Sequence, residues 1–572
     1  MLRHLLRLLF LAVALALAWL GMGASDDLWR LSLVGIGLAM LVACWPQRKK
    51  EEETAFGRNI RLMGAMLLIV FVLLGLHLLR LQVYQSPSIA SRVANLPDGA
   101  VQNIRPIIAG QRTRRGRIFD RNGTILADIA IAAGDRVRRT YSRGDLGHIV
   151  GFYNPLYGNG GLESTYDAYL SGQVGNDPWS TFFEELTHRP HQGNDLYLTL
   201  DTGLQEAVEA AYRRVAREKM GSLCPEGDCP GSVVVLDVHS GAVLAMVSFP
   251  RYDPRPLVFD PDAPDWNTEK ERTALYWQGL ISSTESPLLC RATSGLYPPG
   301  STFKTLTAAA ALESGLVTPE SIVTCPNTYT VTGHVIVNFT ENLGGFMREQ
   351  TVLEDFKFSC NTAFAQIGLL LGAERYNDYA KRFGLTYRVL APLQWSDFTD
   401  LPAVPSTIAR ERDFLERPTG LADTAYGQGE LQVTPLYMAM LAATVANDGL
   451  MMKPYLVERA VGPSGETLYQ AQPTILREPI GVPTARQLRR MMVAVVAHGT
   501  GRWWPAIEGV TAGGKTGSAE TGGQGAAHAW FIAFAPAESP RYAVAVIVEH
   551  GGHGSEVAAP IARDTLAAAL GR

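Results

Sequence analysis

The stretch YPPGSTFK at residues 297–304 is the most informative local pattern in the chain. Its two prolines and glycine interrupt regular structure, and the residues that follow, Thr302 to Leu312, include the helix formers Ala308 to Ala311. The pattern predicts a helix with Ser301 at its amino terminus and Lys304 one turn later on the same face. A serine hydroxyl needs a nearby base to act as a nucleophile, and lysine can serve when burial or neighbouring positive charge lowers its pKa. Because an isolated Ser-x-x-Lys is more often an exposed helix turn, this prediction depends on further motifs.

Two further motifs follow along the chain. Ser359-Cys360-Asn361 places a serine and an asparagine two residues apart, so that a loop can aim a hydroxyl and an amide at one point. Lys515-Thr516-Gly517-Ser518 follows two glycines and is predicted to lie on an edge strand, whose unpaired backbone groups can bind a peptide. The charge of Lys515 and the hydroxyls of Thr516 and Ser518 suit a substrate with a free carboxylate. Each motif alone is more often a surface loop, so the prediction rests on finding all three in this order.

The order Ser-x-x-Lys, Ser-x-Asn, Lys-Thr-Gly resembles that of the penicillin-recognising serine enzymes. Longer strings are similar to class B penicillin-binding proteins, namely residues 297–304, KTGSAE at 515–520, HAWF at 528–531, YGQG at 426–429 and RGRIFDRNG at 115–123. The resemblance covers roughly residues 112–570, and the lack of a preceding glycosyltransferase domain favours class B over class A. It implies an α+β fold with membrane helices, a small β-rich pedestal domain, and a transpeptidase domain. That last domain is expected to have a five-stranded antiparallel sheet flanked by helices and an all-helical subdomain.

The resemblance implies a peptidoglycan D,D-transpeptidase that cross-links stem peptides through a serine acyl-enzyme and binds β-lactams covalently. Ser301 would attack the carbonyl of the penultimate D-alanine, and Lys304 would take the serine proton. Ser359 would relay the proton to the leaving D-alanine, and Asn361 would orient the substrate amide. The implied chemistry needs no metal or organic cofactor.

The same resemblance assigns substrate binding to the third motif. Lys515, Thr516, Gly517 and Ser518 are the predicted substrate-binding residues, with Lys515 and Thr516 holding the terminal carboxylate. The backbone N–H groups of Ser301 and Ser518 would form the oxyanion hole, where one donor contributes roughly 3 kcal/mol of transition-state stabilisation. Ser518 stands where threonine is common in the family, but the hydroxyl and the N–H are both retained.

Composition limits what the rest of the chain can be. The 572 residues exceed the roughly 250–300 that one hydrophobic core usually serves, so several domains are expected. A net charge of −4 lacks the basic footprint of a nucleic-acid binder. Six cysteines are too few for a disulfide scaffold. Cys224 and Cys229 are expected either to form a small disulfide loop or to remain free thiols, and Cys360 is expected to contribute buried packing.

Three apolar runs near the amino terminus indicate a membrane anchor. They are Leu8–Ala24, Leu31–Trp45 and Leu62–Leu79. Lys and Arg residues lie before the first run and between the second and third, whereas Asp26 and Asp27 lie between the first and second. Because cytoplasmic loops are enriched in Lys and Arg, residues 46–61 are expected inside the plasma membrane and everything after residue 80 outside. The first run could instead be a cleaved signal peptide without changing that orientation.

The sequence divides into three predicted parts: the membrane anchor at residues 1–84, a stalk and β-rich pedestal at 85–198, and the transpeptidase domain at 199–572. The pedestal is predicted from a hairpin turn at Asn122-Gly123, and a second sequence cluster in it is Gly161-Leu162-Glu163. In the third part, β-prone runs near both ends predict one sheet assembled from the two ends of the domain.

Other functions of an acylated serine were compared with this prediction. A penicillin-sensing membrane receptor would carry a His-Glu-x-x-His motif between its helices, which the sequence lacks. A β-lactamase would need neither the anchor nor the pedestal, and a non-enzymatic scaffold would be expected to have lost Ser301 or Lys304. The resemblance also implies a polytopic membrane glycosyltransferase, a peptidoglycan polymerase, as a partner. Cell division and elongation remain alternative settings for the activity.

Overall fold

The computed structural model of the chain divides into two compact units, residues 1–109 and 110–572. The structure describes residues 2–44, 55–85, 94–96, 99–101, 113–131, 137–154, 156–175, 192–258, 260, 265–338, 349–388, 398, 400–502, 506–522 and 525–572. The positive residues 48–50 and most of the predicted stalk lie outside the described residues.

The first unit contains three long apolar helices. They are α1 (Leu2–Met22), α2 (Asp26–Cys44) and α3 (Ala55–Leu79). Each contains a stretch long and apolar enough to cross a membrane, as the predicted anchor requires. A π-helical turn, Arg80–Tyr84, extends α3, and β1 (Ala94–Leu96) pairs with β2 (Gly99–Val101).

A polar cluster joins the α1–α2 turn to the end of α3. The buried Arg80 donates from Nη1 to Asp26 Oδ1 at 2.9 Å and from Nη2 to the carbonyl oxygen of Ala24 at 2.6 Å. Trp29 Nε1 donates to His77 Nδ1 at 3.0 Å. Polar groups of membrane segments usually face protein rather than lipid, and these contacts hold the three helices of the unit together.

The described residues between 113 and 198 form six short strands and three short helices. The elements are β3 (Ile118–Phe119), β4 (Ile125–Ile131), β5 (Val137–Tyr141), α4 (Gly147–Val150), β6 (Phe152–Asn154), β7 (Gly158–Gly160), α5 (Gly161–Thr165), α6 (Asp167–Leu170) and β8 (Asp195–Leu198). Strands β3 and β4 are antiparallel on either side of Asn122-Gly123, which confirms the predicted hairpin turn. Gly123 has a φ of 85°, which glycine adopts without strain.

The two sequence clusters of this region meet in its interior. Glu163 is fully buried, and its carboxylate accepts hydrogen bonds from Arg115 Nε at 3.0 Å and from Arg139 Nε at 2.5 Å. Arg115 also donates to Asp167 at 2.7 Å, and Arg139 donates to the carbonyl oxygen of Gly116 at 2.7 Å. The carboxylate therefore joins α5 both to the segment before β3 and to β5.

The helices of the remaining chain include those that carry the motifs. They are α7 (Thr202–Met220), α8 (Trp266–Ser282), α9 (Arg291–Ser294), α10 (Lys304–Glu313), α11 (Val352–Lys357), α12 (Asn361–Arg382), α13 (Asp413–Glu416), α14 (Pro418–Ala425), α15 (Pro435–Ala446), α16 (Val482–His498) and α17 (Ala558–Ala569). The second motif immediately precedes α12, and a short 3₁₀ turn, Gly300–Phe303, leads into α10.

The strands of the same part include two near its amino-terminal end and three near its carboxyl-terminal end. They are β9 (Gly231–Asp237), β10 (Val243–Phe249), β11 (Ile322–Thr324), β12 (Thr328–Val331), β13 (His334–Val337), β14 (Glu349–Thr351), β15 (Thr386–Tyr387), β16 (Thr407–Ala409), β17 (Met451–Met452), β18 (Val457–Val461), β19 (Thr467–Gln470), β20 (Ile475–Arg477), β21 (Gly513–Ala519), β22 (His528–Ala535) and β23 (Tyr542–Val548).

The central sheet has five antiparallel strands in the order β10-β9-β23-β22-β21. Alternate residues of β9 enter two different hydrophobic cores: Val233 packs on the side of α7 and α17, and Val234 on the side of α15. Burial on both faces explains why these strands are almost continuously apolar. The predicted fold class is confirmed, and β21, with the Lys-Thr-Gly motif, lies at the edge of the sheet as predicted.

A second sheet has six strands in the order β19-β18-β8-β3-β4-β5. Strand β18 pairs with β8, so chain from beyond residue 450 returns to the region before residue 200. The two strands thus lie on opposite sides of the predicted boundary at residue 198, and the three-part division of the chain stays a prediction.

Candidate active site

The first motif lies where the 3₁₀ turn enters α10. Lys304 Nζ lies 2.9 Å from Ser301 Oγ, so the predicted pairing of amine and hydroxyl is present. Gly300 has a φ of 54°, and a β-carbon there would come within 2.7 Å of the carbonyl oxygen of Ser518. Trp530 Nε1 donates to the carbonyl oxygen of Pro298 at 3.0 Å. These contacts press the turn that carries the hydroxyl against the edge strand.

The hydrogen bonds of Lys304 are compatible with an uncharged amine. Nζ donates to the carbonyl oxygen of Ser359 at 2.7 Å and to Asn361 Oδ1 at 2.6 Å, and both atoms are pure acceptors. A neutral amine has two hydrogens for these partners and one lone pair, which is left for the hydroxyl proton of Ser301. In that arrangement Lys304 can accept the proton directly.

Electrostatics favour the same protonation state. Lys304 has no exposed surface, and burial lowers its pKa well below the ordinary value, with the positive charge of Lys515 acting in the same direction. Burial also lowers the pKa of Lys515 to about 7. Two amines in one buried site disfavour each other's protonation, as the sequence predicted for a lysine base.

Ser359 connects the two lysines. Its hydroxyl oxygen lies 3.1 Å from Lys304 Nζ and accepts a hydrogen bond from Lys515 Nζ at 2.9 Å. The backbone of Ser359 has a φ of 62°, an uncommon conformation for a residue other than glycine. Such strain persists where surrounding contacts fix the residue, and here it aims the hydroxyl between two amines.

The edge strand brings the third motif to the same place. Thr516 Oγ1 lies 2.7 Å from the hydroxyl of Thr500, which follows α16. A β-carbon on Gly517 would lie 2.8 Å from the carbonyl oxygen of Pro299, so glycine allows the strand and the 3₁₀ turn to approach closely. Ser518 is half-buried and its hydroxyl accepts a hydrogen bond from the N–H of Gly554 at 3.3 Å.

The predicted residues are therefore brought together. Direct side-chain contacts connect Ser301, Lys304, Ser359, Asn361 and Lys515, and the strand β21 presents Thr516, Gly517 and Ser518 beside them. Thr500 was not predicted, although its setting between Gly499 and Gly501 is the type of sequence that allows a side chain to approach a ligand closely.

Asn338 is a second residue that the sequence did not reveal. It is buried, and its Oδ1 accepts hydrogen bonds from the backbone N–H groups of Asn361 at 2.7 Å and Thr362 at 3.2 Å. Its Nδ2 donates to the carbonyl oxygen of Pro326 at 2.7 Å. Asn338 thus fixes the start of α12, which carries the second motif.

The cysteines form two disulfide bonds among the described residues. Cys224 is bonded to Cys229, which decides between the two predicted alternatives. Cys360 is buried as expected, but it is also bonded to Cys325, a pairing that the sequence did not indicate. This bond covalently fixes the residue between Ser359 and Asn361.

Replacing the second disulfide should cost more stability than replacing the first. Cys325 and Cys360 are separated by 35 residues and Cys224 and Cys229 by 5, so the longer closed loop restricts the unfolded chain more. We expect the double variant C325S/C360S to lose about 1.5–2 kcal/mol more unfolding free energy than C224S/C229S. Urea unfolding of both variants under oxidising conditions measures the difference; equal losses would contradict the expectation.

A hydroxyl beside a buried lysine whose pKa is lowered, with a second lysine and a hydroxyl-rich strand opposite, defines a serine acyltransferase of the penicillin-recognising class. Residues 231–567 match the family model of the penicillin binding protein transpeptidase domain. Residues 115–196 match the model of the penicillin binding protein A dimerisation domain. The chain belongs to the penicillin-binding protein transpeptidase family.

Individual proteins agree with this family. The peptidoglycan D,D-transpeptidase PbpA of Mycolicibacterium smegmatis is 35% identical over 483 residues, which are 82% of this chain and 91% of the relative. The ceftriaxone acyl-enzyme structure of penicillin-binding protein A from Mycobacterium tuberculosis matches with a TM-score of 0.70 at 33% identity, over 81% of this chain and 100% of that one. The D,D-transpeptidase domain of a peptidoglycan glycosyltransferase from Eggerthella lenta matches with a TM-score of 0.66 at 30% identity, over 80% and 99% of the two chains.

The predicted class B family and the predicted enzyme class, a serine-type D,D-transpeptidase, are confirmed by these matches. The alternative of a penicillin-sensing receptor is not favoured, because relatives such as PbpA of Mycolicibacterium smegmatis and MrdA of Acinetobacter baumannii are named as peptidoglycan D,D-transpeptidases.

Proposed function

We propose that this chain cross-links peptidoglycan stem peptides with Ser301 as nucleophile and Lys304 as general base. The observation that carries the proposal is the 2.9 Å contact between Lys304 Nζ and Ser301 Oγ. The two shortest contacts of the same amine are with oxygens that can only accept. Lys304 takes the hydroxyl proton while Ser301 Oγ bonds to the carbonyl carbon of the penultimate D-alanine. The resulting tetrahedral intermediate expels the terminal D-alanine.

The leaving amine needs a proton, and we propose that Ser359 delivers it. Its hydroxyl lies within hydrogen-bonding distance of both Lys304 and Lys515, so the proton taken from Ser301 can pass through it. An amine of a second stem peptide then attacks the acyl-enzyme, returns a proton along the same path, and releases Ser301.

Asn361 and the edge strand are proposed to bind the donor peptide. Asn361 Nδ2 uses one hydrogen for the carbonyl oxygen of Val337 at 3.0 Å, which leaves the second for the substrate amide. Lys515 and the hydroxyl of Thr516 are proposed to hold the terminal carboxylate, with Thr500 supporting Thr516. The close contact of Gly300 and Gly517 with neighbouring backbone supports an oxyanion hole formed by the N–H groups of Ser301 and Ser518.

A cross-linking assay tests the proposal. The full chain in detergent is incubated with uncross-linked glycan strands that carry pentapeptide stems, and the muropeptides are separated after digestion. We expect cross-linked dimers that disappear with penicillin and with Ser301→Ala. Release of D-alanine without dimers, or dimers formed by Ser301→Ala, would contradict the proposed function.

We further propose that the catalytic part lies on the extracytoplasmic side of the plasma membrane. The distribution of Lys and Arg around the three apolar helices supports this orientation. A single cysteine placed between α2 and α3 should resist a membrane-impermeant maleimide in intact cells, whereas one on the surface of α17 should react. The reverse pattern would contradict the orientation.

A polytopic membrane glycosyltransferase is the proposed partner. A transpeptidase that cross-links new strands needs a polymerase that supplies them, and three membrane helices offer more surface than a single anchor. We expect the intact chain to co-purify with such a polymerase and a chain lacking residues 1–84 to lose it. Undiminished co-purification of the truncated chain would assign the contact to another region.

A further inference from the structure

A buried acid and a buried amide lie close to the base and take no part in the steps above. Asp355 on α11 has no exposed surface, and Gln350 on β14 is 2% exposed. Gln350 Nε2 donates a hydrogen bond to Asp355 Oδ1. The other two oxygens, Asp355 Oδ2 and Gln350 Oε1, are buried without a hydrogen-bond partner among the described residues.

One proton would satisfy both of these oxygens. A carboxylate and an amide oxygen can only accept, so an ionised Asp355 leaves two buried acceptors unpaired, which is costly. If Asp355 Oδ2 carries a proton, it can donate to Gln350 Oε1 while Gln350 Nε2 donates to Asp355 Oδ1. The two side chains then form a ring with two hydrogen bonds, and neither group has an unmet acceptor.

The charges around Asp355 favour that proton. Burial raises the pKa of Asp355 to about 8; Glu354 acts in the same direction, whereas the hydrogen bond from Gln350 and the charge of Lys304 oppose it. The charged side chains on packed neighbouring elements are engaged or exposed elsewhere: Arg486 and Arg489 of α16 pair with Asp448, Arg490 with Glu320, and Glu349 of β14 is exposed.

A metal ion is a poor substitute for the proton. Cys325, Asp355 and Cys360 have potential ligand atoms within 4.8 Å of one another. The two sulfur atoms are joined in a disulfide, however, and thus provide no thiolate for coordination. The two unmet oxygens belong to an acid and an amide that already share one hydrogen bond, and a proton between them needs no third ligand.

The state of Asp355 affects the amine that accepts the proton of Ser301. An ionised Asp355 raises the pKa of Lys304, opposing the lowering effects of burial and of Lys515. A raised pKa favours the ammonium form, which cannot act as a base. A neutral Asp355 removes this opposing charge from the site.

We propose that Asp355 and Gln350 form a proton-holding pair: Asp355 remains a neutral carboxylic acid bonded to Gln350, and thereby keeps Lys304 available as the base. Asp355 is a positioning residue that acts through Lys304 and does not touch the substrate. This inference rests on the proposed role of Lys304, and its tests include one that does not depend on that role.

The first test is the pH dependence of acylation in Asp355→Asn. The amide introduced by this substitution can donate from its nitrogen to Gln350 Oε1 and accept at its oxygen, so both hydrogen bonds are kept while the titrating proton is removed. Acylation of the full chain in detergent by a fluorescent penicillin is followed from pH 6 to pH 10. We expect the ratio of variant to wild-type rate constants to be constant below pH 7 and to change at least about threefold with an apparent pKa near 8, as the wild-type acid ionises. A ratio independent of pH would overturn the proposal.

The second test exchanges the partners. Gln350→Glu places a second carboxyl group beside Asp355, and the two groups then share one proton. We expect the remaining negative charge to slow acylation at pH 7 about tenfold. The double variant Q350E/D355N restores an acid–amide pair with the roles exchanged and should recover the rate to within about threefold. Failure of the exchange to rescue the single variant would count against the pair, since a merely structural role predicts added damage.

The third test measures the proton without using catalysis. The pKa of Asp355 is raised from 3.8 to about 8 by folding, so the wild type loses stability as the pH rises between these values. Asp355→Asn lacks this loss. The difference in unfolding temperature, variant minus wild type, should therefore increase between pH 4 and pH 8 and stay constant above pH 8. A difference that is constant across that range would contradict the proposal that Asp355 is a neutral acid.

A failure of Ser301→Ala to abolish labelling would instead reject the proposed function.

Discussion

Replacing Lys304 with arginine is expected to slow acylation by a fluorescent penicillin by about a thousandfold or more. General-base catalysis typically contributes about 10²–10⁴ in rate, and the effect is largest when the base also positions the nucleophile. Arginine keeps the positive charge but has a pKa above about 12, so it cannot accept the proton of Ser301. Its larger planar group also cannot reproduce the contacts to Ser359 and Asn361.

The measurement is the second-order rate constant for labelling, with Ser301→Ala as the baseline without a nucleophile. Lys357→Arg is the matched control, because Lys357 is a half-buried lysine on α11 whose Nζ lies over the ring of Phe358. We expect this control to label within about twofold of the wild type, as surface-type substitutions usually do. Labelling of Lys304→Arg within tenfold of the wild type would mean that another group is the base.

The parts of the site that sequence predicted are those that local spacing determines. Ser301 and Lys304 share a face because they lie one helical turn apart, and that rule needs no knowledge of the rest of the fold. The position of Lys515 at the edge of the sheet followed from a strand pattern flanked by glycines. The convergence of the three motifs came from family resemblance, since no spacing rule relates residues so far apart in the chain.

The parts that sequence did not predict depend on contacts between distant segments. Asn338, Thr500 and the Cys325–Cys360 bond each join a motif to a residue on a different element. Asp355 was missed for a second reason: an acid four residues before Ser359 looks like an ordinary helix residue until its burial is known. Single acidic residues in a sequence do not reveal whether they will be solvated.

The pairing of β18 with β8 is another contact between distant segments that the sequence did not predict. The six-stranded sheet contains strands from before residue 200 and two strands from residues 457–470. Strand pattern indicates that these segments are extended, but their partners are chosen by burial and register in the folded chain. Sequence therefore predicted strand content here more securely than topology.

Replacing Glu163 with glutamine is expected to destabilise the strand-rich region by about 3–5 kcal/mol. The Glu163 carboxylate is fully buried between Arg115 and Arg139, which are themselves nearly inaccessible to water. Glutamine has almost the same shape but removes the charge that two buried guanidinium groups share, and only Arg115 retains a second ion pair among the described contacts, with Asp167. Burial alone would raise the pKa of Glu163, but the charges of Arg139 and Arg115 outweigh it and hold the pKa below the ordinary value.

The comparison is pulse proteolysis of the full chain in increasing urea, scored by cleavage between residues 113 and 198. Glu218→Gln is the matched control, because Glu218 pairs with Arg214 on the exposed surface of α7 and should cost less than about 1 kcal/mol. The depressed pKa of Glu163 stabilises the wild type above the unfolded value of 4.5 and ceases to do so as the pH falls. The difference in unfolding free energy between the wild type and Glu163→Gln should therefore decrease as the pH is lowered. A loss of unfolding free energy no larger than that of Glu218→Gln at neutral pH would contradict the expectation. It would mean that water or another group compensates the two arginines. The Arg-Gly-Arg and Gly-Leu-Glu clusters would then be joined by packing rather than by charge.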